Sequence, residues 1–387
     1  MNTGGVRGRS GGLLLVVALT LVLAGCGLVG PSEPAAVRFT AVDLPTGSVP
    51  VALSAAGDAL LVGVRREGRP VAPGLLRRGS DGSLTELPVT AATPYGLLAT
   101  WQSIASDGDR VLAVGGERGG AHGNVRWSVW TGSAAVSTGL TEQRQAFSTF
   151  GGYGAGDLID AVLTPAGDAL IGTWESAQVG FDVAVWTSDG PTWTRQSSAG
   201  TALENTRSSL SFPMAATTQG QGILVAGSQL ALDAGGRQLP VVWRSTAGNT
   251  GWTSTVLPDA GQAAAAAAAR CTTTVCAIAG RVDGKLALWR LADGTWTRLP
   301  GVPPIPVGDR DRLPAPIDVN GTLAQLVTDA GQVKIARLDG DRWTLRATAG
   351  PTGRVTVAAT VGNILYVLAG PDENAQTLWR ADLASIR

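Results

Sequence analysis

The sequence predicts an all-β fold, a seven-bladed β-propeller of four-stranded antiparallel blades. Three observations predict it: a hairpin pattern that recurs along nearly the whole chain, a second apolar–turn–apolar pattern upstream of each copy, and no apolar periodicity of the helical kind. The clearest copy runs from Lys285 to Pro300. Leu286-Ala287-Leu288-Trp289 is an apolar run of strand propensity. Asp293-Gly294 is turn chemistry, since Asp bonds local backbone and Gly accepts positive φ. Trp296-Thr297-Arg298-Leu299 then alternates apolar and polar, as a half-buried outer strand does.

Looser copies end in Thr192-Trp193-Thr194-Arg195, Trp252-Thr253-Ser254 and Trp343-Thr344-Leu345. The upstream hairpin reads as apolar run, Gly-bearing turn, apolar run around Ala56-Gly57-Asp58, Asp107-Gly108-Asp109, Ala166-Gly167-Asp168 and Gly362-Asn363. The third strands are anchored at Leu76, Trp130, Trp186, Trp243, Trp289, Ala336 and Trp379. Such a recurrence, at roughly forty to sixty residues, is that of propeller blades. The last unit stops soon after Trp379 and lacks its fourth strand. A lone segment, about 37–44, precedes the first unit, and Arg38-Phe39-Thr40-Ala41-Val42 reads like a fourth strand. It is expected to complete the last blade and close the ring, which leaves only short edges.

Ahead of it, Arg7 and Arg9 precede an apolar stretch, Leu13 to Leu23, too short to span a bilayer comfortably. The expected organisation is a signal peptide over 1–25, a Gly/Pro/Ser tether over 26–36, and one domain over 37–387. Leu23-Ala24-Gly25-Cys26 resembles the bacterial lipoprotein lipobox. That resemblance implies cleavage before Cys26 and a diacylglycerol thioether on its sulfur, hence a lipid-anchored protein on the extracytoplasmic face of the cell membrane. An ordinary secretory signal is the alternative.

Acidic and basic residues balance, 30 against 30, and nothing resembles a basic patch for nucleic acid. Cys271 and Cys276, in CTTTVC, flank a hairpin turn of the fifth unit. In an exported chain this reads as a disulfide, with a metal pair as the rival. The single histidine, His122, is too little for a zinc site, so no metal or cofactor is expected. Ala263 to Ala269 reads as loop running into the innermost strand of the fifth blade, near an axis where small side chains fit.

Turns between strands one and two, and three and four, are short throughout and share one face. The connections from two to three and from blade to blade are long and share the other. Long loops on a rigid scaffold concentrate binding residues. The candidates there are Trp101, Arg144, Tyr153, Trp174, Glu175, Glu204, Arg207 and Arg310, with Phe147, Phe150, Phe181, Asp182 and Arg312 beside them. Aromatic rings beside arginines and carboxylates suit an envelope protein, a peptide or a glycan.

The turn Ser188-Asp189-Gly190-Pro191-Thr192-Trp193 resembles the Asp-box of sialidase-like propellers, one residue short of that pattern. In that family the box is structural and lies opposite the active site, so the resemblance implies the fold rather than an activity. Sialidase-type hydrolysis would need Tyr153 with Glu175 or Glu204 and Arg144 or Arg207 to converge. No catalytic residue is assigned. The favoured expectation is a ligand- or protein-binding module, the alternative a sialidase-like glycan-processing enzyme on the same face.

Overall fold

The computed structural model describes residues 35–68, 72–119, 123–272 and 275–386. The leader, Cys26 and His122 lie outside the described residues. From Ala35 onward the chain is one unit built of seven sheets.

Blade 1 is Ser48–Ala56, Ala59–Arg66, Ala72–Arg78 and Leu84–Leu87. Blade 2 is Thr100–Asp107, Arg110–Arg118, Val125–Ser133 and Gly139–Gln143. Blade 3 is Ala155–Thr164, Gly167–Glu175, Phe181–Asp189 and Thr192–Arg195. Blade 4 is Ser209–Gln219, Gly222–Ala231, Arg237–Arg244 and Thr253–Val256. Blade 5 is Ala264–Cys271, Cys276–Val282, Lys285–Ala292 and Thr295–Arg298. Blade 6 is Ile317–Val319, Thr322–Asp329, Gln332–Asp339 and Arg342–Thr352. Blade 7 has three strands of its own, Arg354–Val361, Ile364–Gly370 and Thr377–Asp382.

The ring closes through the chain's first strands, with a division of labour the sequence did not reveal. Strand β2 (Thr40–Ala41) is the fourth strand of blade 7, antiparallel to its third, with Thr40 opposite Arg380 and Ala41 opposite Trp379. Strand β1 (Val37–Arg38) instead lies parallel to the outer strand of blade 6, opposite Thr348 and Ala349. Phe39, between them, is buried with Val355 and Leu365 of blade 7 and Ile335 of blade 6. Its amide donates to Ala349 O at 2.8 Å. One short segment thus fastens two blades.

The repeat's tryptophans explain why the blades stack. Trp130, Trp186, Trp243 and Trp289 hold the same place in the third strands and are fully buried. Each packs into a seam between neighbouring sheets, where a large ring fills the wedge that opens away from the axis. In blade 5 the innermost strand is built almost wholly of alanine. The alanine run forms strand from Ala264 onward, so the expected loop is confined to its first residue.

The tight turns follow the Asp-Gly and Asn-Gly pattern. Asp293-Gly294 and Asn320-Gly321 both take positive φ at the two central positions, which suits the twist of a two-residue hairpin. Among the described residues, helix is limited to single turns. Helices α1 (Pro94–Leu98) and α2 (Phe147–Phe150) sit in the connections into blades 2 and 3, where only loops were expected, and a 3-10 turn covers Leu383–Ile386. A single turn buries too few positions to leave a periodic signature.

Cys271 and Cys276 stand opposite each other in the first two strands of blade 5 and form a disulfide.

Candidate functional site

Two features shape the long-loop face. The first is an opening on the axis. In six innermost strands the ladder skips one residue at an equivalent place: Val51, Gln102, Ile159, Met214, Ala267 and Thr356. Such a bulge bends its strand and re-aims side chains. All six line an opening of about 510 Å³. In blade 6 the innermost strand is only Ile317–Val319, and the loop 309–315 occupies the rest of the rim.

That loop is fastened on both sides. Asp309 pairs with Arg281 of blade 5 at 3.1 Å, and Arg312 with Glu373 of blade 7 at 2.9 Å. Arg310, a predicted site residue, lies exposed between them at the opening. Across the rim, Ser103 Oγ donates to Asp160 Oδ1 at 2.5 Å, and Ala216 N donates to Asp160 Oδ2 at 2.8 Å. Asp160 therefore ties blades 2, 3 and 4 together. Desolvation raises its pKa to about 6 despite those two bonds.

The second feature lies at the junction of blades 2 and 3, where α1 and α2 meet. Glu142, buried in the outer strand of blade 2, organises the first of them. It accepts hydrogen bonds from Ala92 N (2.6 Å), Thr93 N (2.8 Å) and Thr93 Oγ1 (2.6 Å). Thr93 Oγ1 in turn accepts from Gly96 N at 3.0 Å and caps α1. A side chain at Gly96 would run into the Glu142 carboxylate and push it off its bonds to Ala92 and Thr93. Arg144, a predicted site residue, donates to Ala92 O at 2.6 Å and holds the same corner.

Gln145 bridges to blade 3 by donating to Pro191 O (2.6 Å) and accepting from Trp193 N (3.0 Å). Between the two helices opens a groove of about 250 Å³. In it the Arg126 guanidinium sits 4.5 Å from the Phe147 ring centre and 5.8 Å from that of Tyr95. Arg126 has no hydrogen-bond or ion-pair partner among the described residues, and its Nε is buried without an acceptor. Around the groove the surface is unusually apolar. Phe147 and Tyr95, which line the groove, are 59% and 46% exposed, and Leu97 of α1 is 56% exposed. Patches of this kind on soluble domains mark interaction surfaces.

The remaining predicted site residues divide into structural and exposed ones. Trp101 is a correction. It is 4% exposed, stacks edge-on against Trp130 at 4.8 Å and donates to Gly74 O at 2.7 Å, so it is core in the seam of blades 1 and 2. Its place beside a long connection suggested a loop residue, but it falls within an innermost strand. Trp174 is half-buried, edge-on to Trp186 at 6.1 Å, with Arg195 stacked over it at 4.7 Å. Glu204 accepts from Gly200 N at 2.7 Å and shapes its own loop. Asp182 is likewise structural, accepting from Ser198 Oγ (2.5 Å) and Asn205 N (2.7 Å). Glu175, Arg207 and Tyr153 are exposed.

The structure does not gather a tyrosine, a glutamate and arginines at the axial opening, whose lining includes no tyrosine. Tyr366 is buried in the core, Tyr95 belongs to the groove and Tyr153 follows α2. Sequence reasoning missed Arg126 and Tyr95. The first is one arginine in an ordinary strand, and only the neighbouring rings give it a role.

No family model and no curated protein matches the chain. Solved structures do. Puromycin hydrolase superposes with a TM-score of 0.55 at 16% identity over 92% of this chain, and the match spans 56% of that chain. Polysaccharide lyase Uly1 superposes at 0.52 with 11% identity, over 87% of this chain and 90% of its own. YCF48 bound to D1 peptide superposes at 0.51 with 11% identity, over 89% of this chain and 96% of its own. Identities this low reflect a shared architecture and no more. By its own sheets, this chain is a seven-bladed β-propeller.

Proposed function

We propose that this protein is a lipid-anchored, extracytoplasmic binding module that takes an extended segment of a partner protein in the groove between α1 and α2. The observation that carries the reading is Arg126. A guanidinium held between two aromatic rings, with no acceptor, has its position fixed and its hydrogen-bonding capacity unused. A carboxylate would complete it with charge-assisted bonds. The exposed Phe147, Leu97 and Tyr95 offer the adjoining apolar contact. The preferred segment therefore places an acidic side chain or a terminal carboxylate next to an apolar residue. The peptide held by YCF48 belongs to that protein, and its fold is compatible with such use. The anchor rests on Leu23-Ala24-Gly25-Cys26.

Selection of displayed peptides on the wild-type domain should enrich acidic–apolar sequences, and Arg126→Glu should reverse the preference toward basic ones. Equal enrichment on both proteins would remove the reading. For the anchor, mass spectrometry of membrane-extracted protein should find a diacylglyceryl group on Cys26, and Cys26→Ser should release the domain into the soluble fraction. The enzyme reading is the weaker one here, because its tyrosine, glutamate and arginine candidates do not share a pocket.

A further inference from the structure

The seven blades provide an internal standard, and blade 5 departs from it at one row. One residue past the anchor position, the innermost strands carry Ser54, Ala105, Val162, Thr217, Ile317 and Ala359 in the other six blades. In blade 5 the same place holds Arg270. It stands opposite Ala277, which stands opposite Arg290, so both arginines project from one side of the sheet across a single methyl group. In blade 4 the central place holds Leu224, fully buried, which fills the seam.

Blade 5 leaves the seam open. A cleft of about 420 Å³ on the short-turn face lies between this row and Ile317, Leu323 and Leu338 of blade 6. Four other blades carry a third-strand arginine at this row; Arg380 of blade 7 is exposed and reaches no acceptor among the described residues, and the other three find acceptors within their own blades. Arg77 reaches Asp58 (3.5 Å), Arg244 reaches Gln219 Oε1 (2.8 Å) and Arg337 reaches Asp339 (2.6 Å). Arg270 and Arg290 reach none among the described residues. Burial lowers the Arg270 pKa, an effect that the nearby Asp318 charge only partly offsets. Asp318 meanwhile accepts from Gly321 N at 2.8 Å.

We propose that this cleft is a second binding site, for an organic anion whose acidic oxygens bridge Arg270 and Arg290 while its apolar body lies against blade 6. Guanidinium pairs suit carboxylate and phosphate oxygens. The cleft volume is that of a small-molecule site, and Ile317, Leu323 and Leu338 give it an apolar side, with Asp318 also in its lining. The site is independent of the groove on the opposite face.

The test uses fluorine NMR on the full chain carrying Cys26→Ser, with para-(trifluoromethyl)benzoate and para-(trifluoromethyl)phenyl phosphate as probes and the uncharged para-(trifluoromethyl)benzyl alcohol as control. Saturable broadening of at least one anion is expected, and not of the alcohol. The tighter of the two identifies the head group. Arg270→Gln and Arg290→Gln should each weaken binding at least five-fold. Ala277→Leu, which copies blade 4, should abolish it. Phe147→Asp, in the other groove, should leave it unchanged. Absence of binding by both anions, equal binding of the alcohol, or binding that survives Arg290→Gln and Ala277→Leu would overturn the proposal. Those two variants decide the matter even if Arg270→Gln does not fold.

Discussion

Four tryptophans with one structural role differ in how their indole nitrogens are served. Trp289 Nε1 donates to Pro258 O at 2.9 Å and Trp186 Nε1 to Thr149 O at 2.8 Å, whereas Trp130 and Trp243 have buried nitrogens without an acceptor. Replacement by Phe removes similar volume in each case, but at Trp289 it also strands a carbonyl, which adds about 1–3 kcal/mol. Denaturant unfolding should therefore show Trp289→Phe to be more damaging than Trp243→Phe.

Asp160 makes a prediction of the same scale. Its native pKa lies above that of an unfolded carboxyl, so between about pH 4 and 6 the folded chain keeps a proton that the unfolded chain has released. Stability from this group is full below that window and falls as pH rises through it. Asn can accept from Ala216 N and donate to Ser103 Oγ, so Asp160→Asn keeps the rim bonds without the charge. Melting temperatures should show the variant ahead of wild type at pH 7.5 by about one to three degrees and level with it at pH 4. An advantage that persists unchanged at pH 4 would assign the effect to something other than ionisation.

At the scale of elements, the disulfide and the closing strands contribute very unequally. Cys271 and Cys276 are 5 apart in sequence, and so small a loop restricts the unfolded chain by only about 2 kcal/mol. Reduction should lower the unfolding midpoint slightly and leave the fold intact. Phe39, by contrast, packs against both blades 6 and 7, and Phe39→Ala should cost about 3–5 kcal/mol. Calorimetry of the two changes side by side checks the ranking. The blades were legible because each one repeats strand propensity and turn chemistry within a short window. The closing strand was legible from a missing fourth strand at one end and an unpaired one at the other. Its split between two blades was not, since two residues per ladder carry no pattern of their own. Helices α1 and α2 were hidden for the same reason, as their order comes from Glu142 and Gln145, residues distant in sequence.

For the whole molecule, the sequence indicated which loops share a face, because strand order alone determines it, but not where on that face side chains converge. Arg144, expected at a binding surface, lies at the α1–α2 corner, where it holds Ala92 O. Trp101 was drawn into the core by the pairing of blades 1 and 2. Arg270 shows by contrast what a register adds. A repeat protein has a standard row at every seam, and Arg270 stands out as a departure from it. Only a register can display such departures.

The segment that closes the ring is also the one through which the chain enters the domain. A pull transmitted along the backbone before Ala35 meets β1 first, then Phe39, then β2, before it reaches any hairpin. The mechanical strength of a molecule held from that end is accordingly set by two short ladders and one buried ring. Stretched from that end in an optical trap, it should give way at a single early event that frees the seam of blades 6 and 7, with the other five sheets yielding later and at other forces.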